Sequence, residues 1–339
     1  MKSANHSRAK SHAPQFRRLL LAWYDVHARD LPWREDRDPY RVWLSEIMLQ
    51  QTRVAAVIEH YHEFLRRFPT VQKLAVARTS SVLAAWSGLG YYRRARMMHA
   101  AAKLIVRELG GHFPDTVDGL RALPGVGRYT SAAIASIAFE EPVAVVDGNV
   151  ERVLQRFSGT RLAPEDIWKA AGDLLDPQRP GDFNQAVMEL GATVCTPRTP
   201  ACLTCPVVDS CATRGELPTL VTTSKQKKRE IHYALDFRDG AVYLVQRPPD
   251  ARVMAGMWEL PQLESTEKGN APADFILRHS ITVTDYTVRV RRLPAPPNVP
   301  GRRIPLQKLR TFPLTGLARK VLRKANLISS ASISIARQP

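Results

Sequence analysis

The chain has 339 residues, 44% of them hydrophobic, and a formal net charge of +17. That length holds two domains or a large one with a small one, and the apolar share supports a packed core. No stretch approaches 18 uninterrupted apolar residues and no signal peptide is evident, so a membrane partner is not expected and a cytoplasmic, nucleoid-associated location is.

Charge is spread along the chain. Residues beyond 230 carry 17 Lys/Arg against 8 Asp/Glu, and the first 230 carry 32 against 24. Excess positive charge in both halves suits a clamp on a polyanion. The first 14 residues are polar and basic and are expected to be a disordered tail.

Phe16 to Ala28 reads as a helix, with Phe16, Leu19, Leu20 and Trp23 at helical spacing. Leu31-Pro32-Trp33-Arg34 interrupts it. Asp38-Pro39 then gives a helix start, and the helix runs from Tyr40 to Thr52. Glu46 sits in it among Trp43, Ile47 and Leu49. Such a carboxylate either turns to solvent, the commoner case, or lies in a low-dielectric pocket. In a pocket its pKa rises, which makes it a general acid near neutral pH. Gln50, Gln51 and Thr52 form an uncharged polar end able to reach base edges, or a plain surface cap. Three helices are expected from Val54 to Gly110. Within them, Tyr91-Tyr-Arg-Arg-Ala-Arg96 mixes aromatics with arginines, as base stacking and phosphate contact require, or as a solvated basic face would.

The central stretch is Leu123 to Val150. Leu-Pro-Gly-Val-Gly-Arg-Tyr-Thr130 is a tight turn before a helix. Gly125 and Gly127 can adopt φ > 0, and their N–H groups, with the helix N-terminus, can hold an anion. A plain helix–turn–helix connection is the competing reading. Asp147 follows an apolar run and precedes Gly148-Asn149 and a helical pattern; taken alone it is an N-cap.

All four cysteines fall at Cys195, Cys202, Cys205 and Cys211, a C-x6-C-x2-C-x5-C loop. Four thiols in so short a stretch point to one all-cysteine metal site; spacing alone leaves zinc and an iron–sulfur cluster open. A basic linker is expected over 217–230. Beyond it the period changes. Ile231–Phe237 and Ala241–Gln246 alternate as strands around an Asp239-Gly240 turn, Ile281–Val290 reads as another strand, and a short helix lies near Leu317 to Leu327. This is an α+β domain over 231–327, with a tail from 328 to 339.

The segments Trp43–Thr52, Gly88–Tyr92, Leu123–Thr130, Val146–Val153 and Phe183–Gly191, and the cysteine loop, occur in that order. Together they resemble MutY-type adenine DNA glycosylases of the helix-hairpin-helix superfamily, densely over roughly 16–215 and more weakly beyond 230. The resemblance implies a mainly α glycosylase domain over 15–216 and a C-terminal Nudix-like α+β domain. It implies a monofunctional, monomeric enzyme of base excision repair that removes adenine mispaired with 8-oxoguanine or G in double-stranded DNA. Asp147 would be the catalytic carboxylate, Glu46 the acid that protonates the base, and Tyr129 and Asn149 site residues. Gln50, Thr52, Gly125, Gly127 and Arg128 would contact DNA, with Gln51 and Tyr91 wedged beside the extruded base. The cysteines would hold a 4Fe-4S cluster. Endonuclease III-type enzymes carry a Schiff-base lysine where this chain has Tyr129, and a phenol cannot do that chemistry.

The family's lesion-reading loop aligns with Ile281-Thr282-Val283, which places Thr282 at the DNA, but the aromatic and histidine of that loop are absent. No Nudix acidic run follows Gly256. Two other readings share parts of this pattern: a thymine or oxidised-pyrimidine glycosylase, and a non-catalytic iron–sulfur DNA-binding protein.

Overall fold

The computed structural model describes residues 2–215, 227–251, 254–263, 272–281, 284–309 and 312–328; side chains of 2–11 and of 281 are outside that description. In chain order the helices are α1 (Lys2–His27), α2 (Pro39–Leu49), α3 (Val54–Arg67), α4 (Val71–Ala75), α5 (Thr79–Ala85), α6 (Arg93–Glu108), α7 (Val117–Arg121), α8 (Arg128–Phe139), α9 (Gly148–Ser158), α10 (Pro164–Leu174) and α11 (Pro180–Thr193). Strands β1 (Lys227–Ala234), β2 (Phe237–Arg238), β3 (Ala241–Gln246), β4 (Trp258–Glu259), β5 (Phe275–Ile281), β6 (Thr284–Arg291) and β7 (Arg302–Pro305) follow, then α12 (Leu306–Leu309) and α13 (Gly316–Lys324). No described helix is long and apolar enough to cross a membrane.

The chain divides into two compact units: Met1–His62 with Thr70–Ala75 and Ala100–Val221, and Glu63–Pro69 with Val76–His99 and Thr222–Pro339. In the first, α1, α9, α10 and α11 share a core around Phe16, Phe157 and Phe183. Phe16 meets Phe157 edge-on at 4.7 Å. The other side of this unit is built on α2 and α8. In α2, Tyr40 and every residue from Val42 to Met48 are buried, so Glu46 is carried inside by its neighbours rather than by its own preference. Asp38 caps this helix by accepting from Arg41 N, and Pro39 occupies its first turn. Helix α8 is rich in Ala and Ser, and Gly181 of α11 lies so close that a Cβ there would come 2.6 Å from Ser136 O. Asn184 of α11 donates to Ser136 Oγ and Val143 O and accepts from Val145 N. One buried amide thereby pins the extended run that leads to Asp147.

Among its described residues, the second unit has two small sheets. One has the order β1-β6-β5, with β1 parallel to β6 and β5 antiparallel to it. The other pairs β3 with β2, β4 and β7. Val242, Leu244, Val288 and Val290 from the sheets pack with Leu317, Val321 and Leu322 of α13.

Several expectations are corrected. The stretch 2–14, expected as a disordered tail, is helical: α1 docks Phe16, Leu20, Leu21 and Tyr24, and the helix continues N-terminally past buried Ala13. Val54 to Gly110 holds four helices, not three, because Thr79–Ala85 forms its own short helix. The C-terminal unit takes in 63–69 and 76–99, which had been assigned to the helical domain. The reason is polar as well as apolar: Ser87 Oγ and Tyr92 OH both donate to Leu314 O, at 3.0 and 3.2 Å. Strand β5 was missed, and the expected linker ends in strand β1 from Lys227. Residues 216–226, 329–339 and Thr282 lie outside the described residues.

Candidate active site

One pocket of about 800 Å³ in the first unit gathers most of the predicted site residues: Glu46, Gln50, Gln51, Thr52, Gly125, Gly127, Arg128, Tyr129, Asp147 and Asn149. Its wall is built from the turn over 29–34, the end of α2, the turn into α8, the start of α9, and α11.

Glu46 is 6% exposed. Burial pushes its carboxyl up to about 7; the Tyr129 hydrogen bond opposes that rise, Asp147 adds to it, and Arg34 opposes it. The Tyr129 hydroxyl donates to Glu46 Oε2 at 2.7 Å and touches Met188 Sδ at 3.6 Å. Burial, with Glu46 and Asp147 nearby, holds the Tyr129 phenol well above its ordinary value, so it acts as a neutral donor.

Asp147 is the N-cap of α9, as its sequence context suggested. Its Oδ1 accepts from Asn149 N and Val150 N at 2.9 and 2.8 Å, and its Oδ2 accepts from Asn149 Nδ2 at 2.9 Å. Cap and pocket wall are the same residue. Asn149 is held in turn: its Oδ1 accepts from Arg152 Nη2 at 2.8 Å, and a Cβ on Gly191 would come 2.6 Å from Asn149 Cβ. A glycine at 191 is what lets α9 and α11 approach so closely.

At the turn, Gly125 has φ +80°, the left-handed backbone that glycine favours. Gly127 does not share it: its φ is −97° in an extended N-cap position of α8, which corrects the expectation for that residue. Nothing lies within 4 Å of a Cβ built on Gly127, so the N-terminus of α8 is open to a ligand. Gln50 Nε2 bonds Thr130 Oγ1 at 3.2 Å, tying the end of α2 to this turn. Gln51 is exposed with φ +57°, and Tyr91, in the other unit, is 46% exposed with φ +46°. Non-glycine residues in that region are uncommon and concentrate at functional sites.

Arg29, Trp33, Arg34, Gln185, Met188 and Glu189, none of them marked as a site residue by a sequence motif, also line the pocket. Glu189 is 1% exposed and receives Arg29 Nε at 2.5 Å, Arg29 Nη2 at 2.9 Å and Arg34 Nη2 at 2.9 Å. Burial would push its carboxyl up, but the two arginines outweigh that and hold it below its usual value. The available signal was Glu189 inside the apolar run Ala186–Gly191, which needed a cation, and Trp33-Arg34 supplied one.

The four cysteines line a separate small cavity with Arg156, Val194, Pro200 and Gly215. Arg156 Nη1 lies 3.4 Å from Cys195 Sγ. Burial, with the other thiols close by, pushes Cys205 up to about 11. Gly215, at φ +88°, spares this cavity a Cβ that would come 2.9 Å from Cys202 Sγ. Among the described residues, no three Cys, His, Asp or Glu side chains are grouped as ligands of a single metal ion.

Residues 44–176 match the family model described as HhH-GPD superfamily base excision DNA repair protein. A thermostable thymine-DNA glycosylase structure superposes with a TM-score of 0.57 and 29% identity, covering 61% of this chain and 98% of that one. Endonuclease III in a non-covalent DNA complex gives 0.52 at 21% identity, over 60% of this chain and 97% of that one, a likeness of fold. The adenine DNA glycosylase of Schizosaccharomyces pombe is 32% identical over 329 residues, 76% of this chain and 71% of that protein. Those of Mus musculus and Homo sapiens are 42% and 52% identical over 318 and 214 residues, 75% and 59% of this chain. The chain covers 62% and 39% of those two mammalian proteins. The chain belongs to the adenine DNA glycosylase family.

Proposed function

We propose that the protein hydrolyses the N-glycosidic bond of adenine mispaired with 8-oxoguanine or G in duplex DNA, without efficient strand cleavage. The observation that carries this reading is one pocket holding a buried carboxyl near pKa 7, bonded to a tyrosine, together with a second carboxylate at a helix N-terminus. Glu46 supplies a proton to the leaving base. Asp147, an acceptor of three N–H bonds, opposes positive charge on the sugar and assists the attacking water. The base must first leave the stack, which is cheapest at a mismatch. The left-handed, exposed Gln51 suits a wedge into the duplex. Tyr129 stands where a lyase would carry its lysine, which supports monofunctional chemistry.

The four cysteines suit a 4Fe-4S cluster in a structural role. All four thiols line one small cavity, and an all-cysteine donor set suits an iron–sulfur cluster as it does zinc; the family resemblance favours the cluster. Iron counting and visible absorption decide between the two.

The functional test is base release from duplexes carrying A opposite each of the four bases and 8-oxoguanine, with T opposite G as a control. Release of A opposite 8-oxoguanine and G, abolished in Asp147→Asn, is the expected result. Release of T alone, or unchanged release by Asp147→Asn, overturns the reading.

A further inference from the structure

Arg128 begins α8, beside the open Gly127, and lines the pocket. Its side chain does not project freely into solvent. The guanidinium lies over the ring of Trp168, 4.0 Å from the centroid. Its Nη1 also donates to both oxygens of Glu165, at 2.8 and 3.0 Å. Trp168 and Glu165 are on α10, outside every motif that marks the family resemblance.

The two contacts differ in character. The ion pair is open to water, with Glu165 79% and Arg128 42% exposed. Exposed pairs of this kind are weak, and salt screens them. Stacking on a tryptophan face is less sensitive to screening, and it fixes the plane of the guanidinium. Arg128 is therefore held firmly in orientation but loosely in partner. A guanidinium takes a carboxylate and a phosphate with the same fork of donors.

Resting on the proposed DNA function, we infer that Trp168 and Glu165 form a cradle for Arg128, in which Glu165 stands in for a DNA backbone phosphate that displaces it on binding. Trp168 keeps the guanidinium flat and aimed beside the α8 N-terminus. Glu165 satisfies it until the phosphate arrives, and its negative charge opposes any anion that approaches without displacing it. Weak competition is the useful range, since a buried clamp would block the site.

The experiment is a double-mutant cycle on the full chain, with affinity for a duplex containing A opposite G measured between 50 and 200 mM salt. Glu165→Gln is expected to bind about two- to fivefold tighter, the range a weak exposed pair allows. Arg128→Ala is expected to bind more weakly and to lose about 0.9 from the slope of log affinity against log salt. Trp168→Ala is expected to weaken binding about two- to fivefold, with Trp168→Phe restoring most of the loss. The decisive variant is Arg128→Ala with Glu165→Gln. If the gain from Glu165→Gln disappears there, the cradle holds. If the gain persists, it comes from general charge and the inference fails; it fails too if Glu165→Gln and Trp168→Ala bind as wild type. Adenine release by the wild-type chain is followed in parallel, so that loss of the parent reading is seen separately.

Discussion

The Tyr129 hydroxyl donates to Glu46 Oε2 at 2.7 Å, inside a pocket that also holds Asp147. Burial raises the Glu46 carboxyl to about 7, and the Tyr129 bond works against that rise. Glu46 as proton donor makes single-turnover adenine release level below about pH 7 and falling about tenfold per pH unit above it. Tyr129→Phe removes a bond that favours the charged form, so the basic limb is expected to move to higher pH while the rate at neutral pH changes less. A limb that moves to lower pH would show that the phenol does not act on this carboxyl.

The same group leaves a mark on stability. Its folded value lies above the ordinary 4.5, so the folded state holds the proton longer than the unfolded one. Stability from this site is full below about pH 4.5, falls as pH rises towards 7, and is lost above. The shift corresponds to about 3 kcal/mol at 1.36 kcal/mol per unit. Glu46→Gln is expected to be inactive yet more stable than wild type at pH 8 by up to that amount, with the difference shrinking at pH 5. Urea unfolding at the two pH values measures it.

Glu189 is the reverse case. Two arginines hold its carboxyl below its usual value, so its contribution is present above about pH 4.5 and is lost as pH falls through the depressed folded value. Glu189→Ala leaves Arg29 and Arg34 without their shared carboxylate and is expected to cost about 1–3 kcal/mol, less than for a fully buried pair because Arg29 is 39% exposed. Thermal melting gives the first measure. Adenine affinity should fall as well, because both arginines line the pocket.

The parts of the site legible in sequence are those with local signatures. Pro39 and Asp38 announced α2, Gly125 announced the turn, and Asp147 announced a cap that proved to be a pocket wall. The cysteines announced their own loop. What stayed hidden depends on contacts far apart in the chain. Arg34 and Glu189 are 155 residues apart, and they meet only when α11 packs beside the turn at Trp33. The C-terminal unit was legible as strands by their alternation, but its capture of Ser87 and Tyr92 rests on a carbonyl at Leu314 that no pattern marks. The helical extension of α1 escaped because polar, basic composition describes a solvated helix as well as a loose tail.

Arg152 lies outside the pocket lining yet braces Asn149, which is part of it. Its Nη2 donates to Asn149 Oδ1 at 2.8 Å and to Gly191 O at 2.7 Å, while Nε donates to Cys195 O at 2.8 Å. Asn149 passes that restraint to Asp147 Oδ2. Arg152→Gln cannot span these acceptors and Gly148 O, which Arg152 Nη1 also reaches, and Arg152→Lys keeps the charge on a point donor without the planar fork. A positioning role predicts base release slowed about 10- to 100-fold in Arg152→Gln, the scale of a catalytic group held slightly out of place, with duplex affinity changed only a few-fold. Arg152→Lys should recover little of the rate, because geometry rather than charge is what it lacks. If instead melting temperature falls and the rate per folded molecule is unchanged, Arg152 braces the helices alone and Asp147 is positioned by its own cap bonds.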